Sequence, residues 1–103
     1  MSKRLALFDK LIGEGSKDPF HHYARALELR SLGRDAEALE AMVGVTEGFA
    51  DYVPSYLMAA QLAQQSGDVA RAKELAQRGL VAAQKAGNEH ALTELTSLLD
   101  SLV

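Results

Sequence analysis

The chain has 103 residues, of which 48% are hydrophobic and 24% are charged, with a formal net charge of −3 and no cysteine. This composition fits one folded domain and is too apolar for a disordered chain. Without cysteine there are no disulfides, no thiol catalysis and no thiolate metal ligands, and the acidic balance provides no general cationic field for nucleic acid.

The first predicted helix lies in the segment KRLALFDKLI at residues 3–12. Its apolar residues recur at spacings of three and four, which indicates one apolar stripe on a helix. They are Leu5, Phe8, Leu11 and Ile12. The glycines of the following GEGSK segment end this helix.

Asp18 and Pro19 predict the start of a second helix. An aspartate side chain can accept hydrogen bonds from the free N–H groups, and proline has no N–H to lose at the first helical position. We expect this helix to run to about Leu32 and to end at Gly33. Asp35 is then the predicted N-cap of a third helix over AEALEAMVGVTEGF.

The second half of the chain repeats this order of signals. Asp51 and Pro54 predict the start of a fourth helix, Gly67 ends it, and Asp68 is the predicted cap of a fifth. After Gly87-Asn88, a last helix carries leucines along one side, at Leu92, Leu95, Leu98, Leu99 and Leu102. No segment alternates polar and apolar residues for long enough to predict a strand, so the expected class is all-α.

Equivalent breaks in the two halves, at Gly33 and Gly67, define a repeat period of about 34 residues. The same period places Ala26 on Ala60, Ala36 on Ala70 and Ala38 on Ala72. A helix–turn–helix unit of this period resembles the tetratricopeptide repeat, and the resemblance covers about residues 18–86. Its pattern places a small residue in each helix where the two backbones come closest. Tyr56 matches the aromatic of the first helix, and His22 occupies that place in the first repeat.

The resemblance implies one domain at 1–103, built as a short α-solenoid of antiparallel helix pairs. Its parts are an N-terminal capping helix at 1–15, repeats at 18–51 and 52–86, and a C-terminal capping helix at 88–103. Because each repeat buries its apolar face only by stacking, and about three repeats are usually needed, the terminal helices are expected to cover the ends.

The resemblance also implies a non-catalytic module that binds a peptide or helix of an unidentified partner protein. In this family the first helices of the repeats line a concave groove. The positions that correspond to the groove are Phe20, Tyr23, Leu27, Arg30, Pro54, Leu57, Gln61, Gln64 and Gln65. Three of these side chains could equally well be buried in the hydrophobic core, namely Tyr23, Leu27 and Leu57. Tyr23 and Leu27 stand where relatives that grip a chaperone's terminal carboxylate have lysine and asparagine, so that function is not expected.

The three histidines do not predict a metal, cofactor or catalytic site. The side chains of His21 and His22 diverge by about 100° around a helix, which prevents them from chelating one ion. His22 is expected to pack between helices and His21 to lie at the surface. No carboxylate forms an obvious ligand pattern with His90. The scattered basic residues of the first two helices are expected to be a solvated face, and not a nucleic-acid site.

A rival to peptide binding is self-association. Apolar residues left exposed on the terminal helices would pair two copies as a homodimer, which a charge at Leu95 or Leu98 would break. No uninterrupted apolar stretch reaches the roughly 18 residues of a membrane span. Because Asp9 and Lys10 interrupt the N-terminal apolar run, no signal peptide is predicted and a cytoplasmic location is expected.

Overall fold

The computed structural model describes residues 2–102, and that range is helical with no strand. The helices are α1 (Lys3–Gly13), α2 (Pro19–Ser31), α3 (Asp35–Gly48), α4 (Pro54–Gln65), α5 (Val69–Ala86) and α6 (Glu89–Ser101). Each helix packs against the next in the chain, and α4 also contacts α6. The predicted all-α solenoid is therefore confirmed. Within residues 2–102, no helix has the length and apolar character needed to cross a membrane.

Side chains cap four of the helices. The Asp18 carboxylate accepts a hydrogen bond from the N–H of Phe20 at 2.9 Å, and Asp68 accepts one from Arg71 at 3.0 Å. Ser2 and Asn88 cap α1 and α6 in the same way. These bonds satisfy donors that have no partner within the helix.

Two predicted caps are wrong. Asp35 is the first residue of α3, after Arg34 at the N-cap position, and Asp51 lies in the loop before α4, whose N-cap is Val53. Neither helix has a side-chain cap. Instead, Asp35 contributes a negative charge to the first turn of α3, where the helix dipole favours it. At α4, Pro54 removes one of the free donors.

The helix pairs α2–α3 and α4–α5 turn in the same way. Gly33 and Gly67 have φ angles of 76° and 87°, a left-handed conformation that costs glycine little. In both turns the N–H that follows the glycine donates back into the preceding helix, from Arg34 to Leu29 at 2.9 Å and from Asp68 to Ala63 at 3.0 Å. The repeat period of the sequence is therefore the offset between equivalent turns.

Small residues lie at the centre of the core. Ala26, Ala38, Ala60 and Ala72 have no exposed surface and belong to one apolar cluster. Gly79 of α5 marks an even closer approach, because a Cβ built there would lie 2.6 Å from Cβ of Tyr56 and 3.1 Å from the Leu95 side chain. Short side chains of this kind allow helix backbones to pack closely.

His22 and Tyr56 have equivalent places in the two helix pairs, one repeat period apart. The Tyr56 hydroxyl donates to the carbonyl oxygen of Ala50 at 2.8 Å. His22 Nε2 lies 2.9 Å from the carbonyl oxygen of Ser16, to which it donates, and Ser16 stands one period before Ala50. The His22 ring packs on Phe49 with 4.9 Å between ring centroids. The histidine therefore replaces the tyrosine in a packing role.

A candidate binding cavity between the even-numbered helices

A cavity of about 250 Å³ opens where α2, α4 and α6 come together. We call it the even-helix cavity. Its walls are mainly apolar, with three polar side chains at the α6 end. The lining residues are Tyr23, Val53, Pro54, Leu57, Met58, Asn88, His90, Ala91, Glu94 and Leu95.

Three side chains of this wall are shared between the core and the cavity. Tyr23, Leu57 and Met58 are half-buried and pack against the core, and they also line the even-helix cavity. Leu27 is half-buried against the core as well, without lining this cavity. Tyr23 and Leu57 thus combine the two roles that the sequence left open.

The Tyr23 ring packs against the ring of Tyr52, with 5.4 Å between the ring centroids. Burial raises the pKa of the Tyr23 hydroxyl, and the Arg30 guanidinium partly offsets the rise. Burial also raises the pKa of Tyr52, with a further contribution from Tyr23. Both hydroxyls are therefore uncharged near neutral pH and can donate hydrogen bonds to a ligand.

Of the other predicted groove residues, Pro54 lines the even-helix cavity and the rest do not. Arg30 is exposed, and its guanidinium contacts the Met58 thioether across the α2–α4 boundary. Gln61 and Gln64 are half-buried, and Phe20 is 53% exposed near the start of α2. Gln65 lines a separate depression beside the start of α3.

Sequence reasoning missed the contribution of α6 to this cavity. His90 Nε2 lies 2.9 Å from a carboxylate oxygen of Glu94, one helical turn away, a contact that the sequence analysis did not anticipate. The sequence does contain a signal for the position of α6, because its N-cap Asn88 follows Val53, the N-cap of α4, by close to one repeat period. That spacing predicts that α6 takes the place of α4 one period later, with side chains in the same layer.

A second polar cluster lies in the loop between α1 and α2. Ser16 Oγ is 2.7 Å from His21 Nδ1, and His21 Nε2 is 3.8 Å from Asp18 Oδ2. The His21 side chain is 28% exposed, so it is partly at the surface as expected, and its ring centroid is 6.5 Å from that of Phe8. Its ring ties the loop to both helices.

The arrangement of Ser16, His21 and Asp18 superficially resembles a nucleophilic serine with its base. However, the Ser16 hydroxyl also accepts the N–H of Asp18 at 3.2 Å, and the Asp18 carboxylate caps α2. Both contacts of the Ser16 hydroxyl thus lie within the loop and the start of α2. The cluster accounts for the conformation of the loop. Within residues 2–102, no three metal-binding side chains come together.

Two arginines form ion pairs with carboxylates of other helices. Arg25 contacts Asp9 at 2.6 Å, which links α1 to α2. Arg71 of α5 forms two hydrogen bonds to the Glu40 carboxylate of α3, at 2.7 and 3.0 Å. This second pair joins two odd-numbered helices, away from the residues that line the even-helix cavity.

Solved structures with the same fold include tetratricopeptide repeat domains. A crystal structure of a tetratricopeptide repeat domain protein from Salinibacter ruber matches at a TM-score of 0.79 and 26% identity, over 82% of this chain and 96% of that one. A solution structure of such a protein from the same organism matches at 0.79 and 26%, over 84% and 87%. A protein from Bordetella parapertussis matches at 0.80 and 20%, over 99% and 89%. No family model and no curated protein matches the chain.

Proposed function

Because the chain is a tetratricopeptide-repeat-like α-solenoid, we propose that it is an adaptor that binds a peptide segment or helix of a partner protein in the even-helix cavity. Folds of this type generally act as non-catalytic protein-interaction or scaffold modules. The observation that carries the proposal is the shared wall of Tyr23, Leu57 and Met58, which packs on the core and lines an open cavity.

The shape of the even-helix cavity favours a ligand with one or two apolar anchor side chains. Its wall is held in place by the core, so little side-chain ordering is needed when a ligand binds. Around it, the amides of Gln61 and Gln64 and the hydroxyl of Tyr23 can bond a peptide backbone. Phe20, Leu27, Arg30 and Gln65 extend the proposed contact along α2 and α4.

Peptide display followed by NMR titration would test this function. Peptides selected on the full chain should shift the amide signals of α2, α4 and α6. Tyr23→Ala and Leu57→Ala should each weaken binding at least about tenfold while the helical circular dichroism persists, as expected for central anchor contacts. Val81→Ala is the matched control, since Val81 is a 58% exposed apolar residue on α5.

Three results would contradict the proposal. Signals that shift only on α1, α3 and α5 would place the binding surface on the opposite layer. Loss of the folded state in both Tyr23→Ala and Leu57→Ala would show that these side chains belong to the core alone. If the selected peptides still bound Leu57→Lys at full strength, the even-helix cavity would be excluded as the binding site.

A further inference from the structure

Helix α1 has the apolar pattern of α3 but only part of its burial. Four residues of α1 stand one repeat period before four buried residues of α3. The pairs are Leu5 with Leu39, Phe8 with Met42, Leu11 with Val45, and Ile12 with Thr46. In α3 these side chains are at most 7% exposed, whereas in α1 all four are only half-buried and Leu7 is 53% exposed. The reason is that α3 packs between α2 and α4, whereas α1 packs substantially on α2 alone.

Helix α6 has the opposite deficit at the other end. It follows α5 as α4 follows α3, and it packs on α5 and α4. Among the described residues, no helix follows it to take the place that α5 has beside α4. Leu92, Leu98 and Leu99 remain half-buried as a result. Within residues 2–102, α1 therefore has no even-numbered helix on its outer side, and α6 has no odd-numbered helix on its outer side.

The charges of the two ends are complementary. The exposed basic residues of α1 that form no ion pair within residues 2–102 are Lys3, Arg4 and Lys10. The exposed acidic residues of α6 are Glu89, Glu94 and Asp100. Opposite charges on two facing surfaces favour their encounter and fix their register.

Two of these charged residues, Arg4 and Glu94, occupy the repeat positions that alanines occupy in the helix pairs within the chain. Each helix pair has an alanine in both helices, Ala26 with Ala38 and Ala60 with Ala72. Arg4 stands one repeat period before Ala38, and Glu94 stands one period after Ala60. At a junction between α6 and an incoming α1, glutamate and arginine would thus replace the alanine pair.

We propose that α6 of one copy of this chain docks on α1 of a second copy and completes a third helix pair in a head-to-tail contact. The contact is heterologous, so it either propagates into longer chains or closes into a ring, and it differs in this from a two-fold homodimer. Arginine and glutamate hold the helices further apart than alanine does. The contact is accordingly weaker than a helix pair within the chain and sensitive to salt. It requires no ligand in the even-helix cavity.

Sedimentation velocity of the whole chain at increasing concentration, in low and in high salt, tests the association. We expect the mass to rise with concentration past that of a dimer, and about 0.5 M salt to reduce the association several-fold because it screens exposed charges. A single monomeric species at every concentration in low salt would overturn the proposal. So would an association that stops at the dimer and is indifferent to α1.

A charge-exchange cycle identifies the junction. Arg4→Glu and Glu94→Arg should each weaken the association by about five- to tenfold, because each variant places like charges opposite one another. The double variant, and an equimolar mixture of the two single variants, should restore it. The effect of Arg4→Glu alone and the rescue in the double variant are decisive, since a contact between two α6 helices is indifferent to any change in α1. Lys73→Glu on α5 is the matched control, and it should leave the mass distribution unchanged. Failure of both restorations would exclude the proposed pairing.

Discussion

The helix pairs α2–α3 and α4–α5 reach the same geometry with different side chains. His22 and Tyr56 both place a ring between helices, and each donates a hydrogen bond to a carbonyl six residues earlier. One ring is an imidazole and the other a phenol, yet both present a flat face and one donor at the edge. The physical requirement at this position is therefore a ring with an edge donor, which several residue types can meet.

The two pairs differ in how deeply this ring is buried. Tyr56 is 3% exposed and lies against α5, where Gly79 leaves room for it. His22 is half-buried, and the residue one repeat period before Gly79 is the larger Val45. The second pair encloses its ring completely and the first only partly. We expect the second pair to contribute more to the free energy of unfolding.

The largest effect should come from removing the two rings separately. Tyr56→Ala should lower the free energy of unfolding by about 3–5 kcal/mol, the usual cost of deleting a buried aromatic. His22→Ala should cost only about 1–2 kcal/mol because its ring is half-buried. Urea denaturation followed by circular dichroism measures both.

Tyr56→Phe is the control for that comparison. It keeps the ring and removes the hydroxyl, so it should cost about 1 kcal/mol, the net value of one hydrogen bond. Equal losses in Tyr56→Ala and His22→Ala would show that the two helix pairs do not differ in stability as their burial suggests.

An intermediate effect should follow from adding a methyl group to Gly79. The new Cβ would lie 2.6 Å from Cβ of Tyr56, so helix backbones must move. Overpacking costs about 1–3 kcal/mol, of which the better helix propensity of alanine returns up to about 1 kcal/mol. We expect Gly79→Ala to lower the melting temperature by several degrees, as about 1–2 kcal/mol does in a domain of this size.

Gly44→Ala in α3 provides the matched control. No atom lies within 4 Å of its built Cβ, and the residue is exposed in the helix interior. The substitution should therefore raise the free energy of unfolding by about 0.5–1 kcal/mol. A stabilising Gly79→Ala would mean that α4 and α5 are not held as closely as described.

The smallest effect concerns the link between the two pairs. Hydrogen bonds from Arg71 lower the pKa of Glu40 below its ordinary value of 4.5. A carboxylate with a lowered folded-state pKa stabilises the fold above its unfolded pKa, and that stability is lost as the pH falls through the folded pKa. Arg71→Gln should cost less than about 1 kcal/mol at pH 7, since the pair is exposed. In urea titrations at several pH values, the difference from the unmodified protein should shrink as the pH falls below the unfolded pKa of about 4, and it should vanish below the lowered folded-state pKa. A difference that does not decrease between about pH 5 and pH 3 would assign the effect to packing of the arginine stem.

Much of the fold could be predicted from the sequence because its signals are local. The turn glycines, the repeat period and the alanines of the close approaches each depend on a few neighbouring residues. The caps at Asp35 and Asp51 were predicted wrongly because capping depends on backbone dihedral angles that residue type alone does not determine. At α4 the helix begins at Pro54 with no side-chain cap.

The candidate site was harder to predict because it depends on contacts between distant helices. Tyr23 and Leu57 were expected to face either the core or a groove; they are half-buried against the core and also line the even-helix cavity, and whether a partner binds there stays a prediction. Helix α6 was expected to cover the end of the solenoid or to pair two copies of the chain, and not to line a cavity. Its polar pair His90–Glu94 lines the even-helix cavity through an orientation that leucine periodicity does not reveal.

The forked bond between Glu40 and Arg71 has a consequence on the far side of the molecule. It joins α3 to α5 on the outer layer, whereas the even-helix cavity lies between helices of the inner layer. If the two hairpins rocked about their common contact, the outer edges would have to separate whenever the inner edges closed. Because this exposed ion pair contributes less than about 1 kcal/mol, it resists such a rocking motion only weakly.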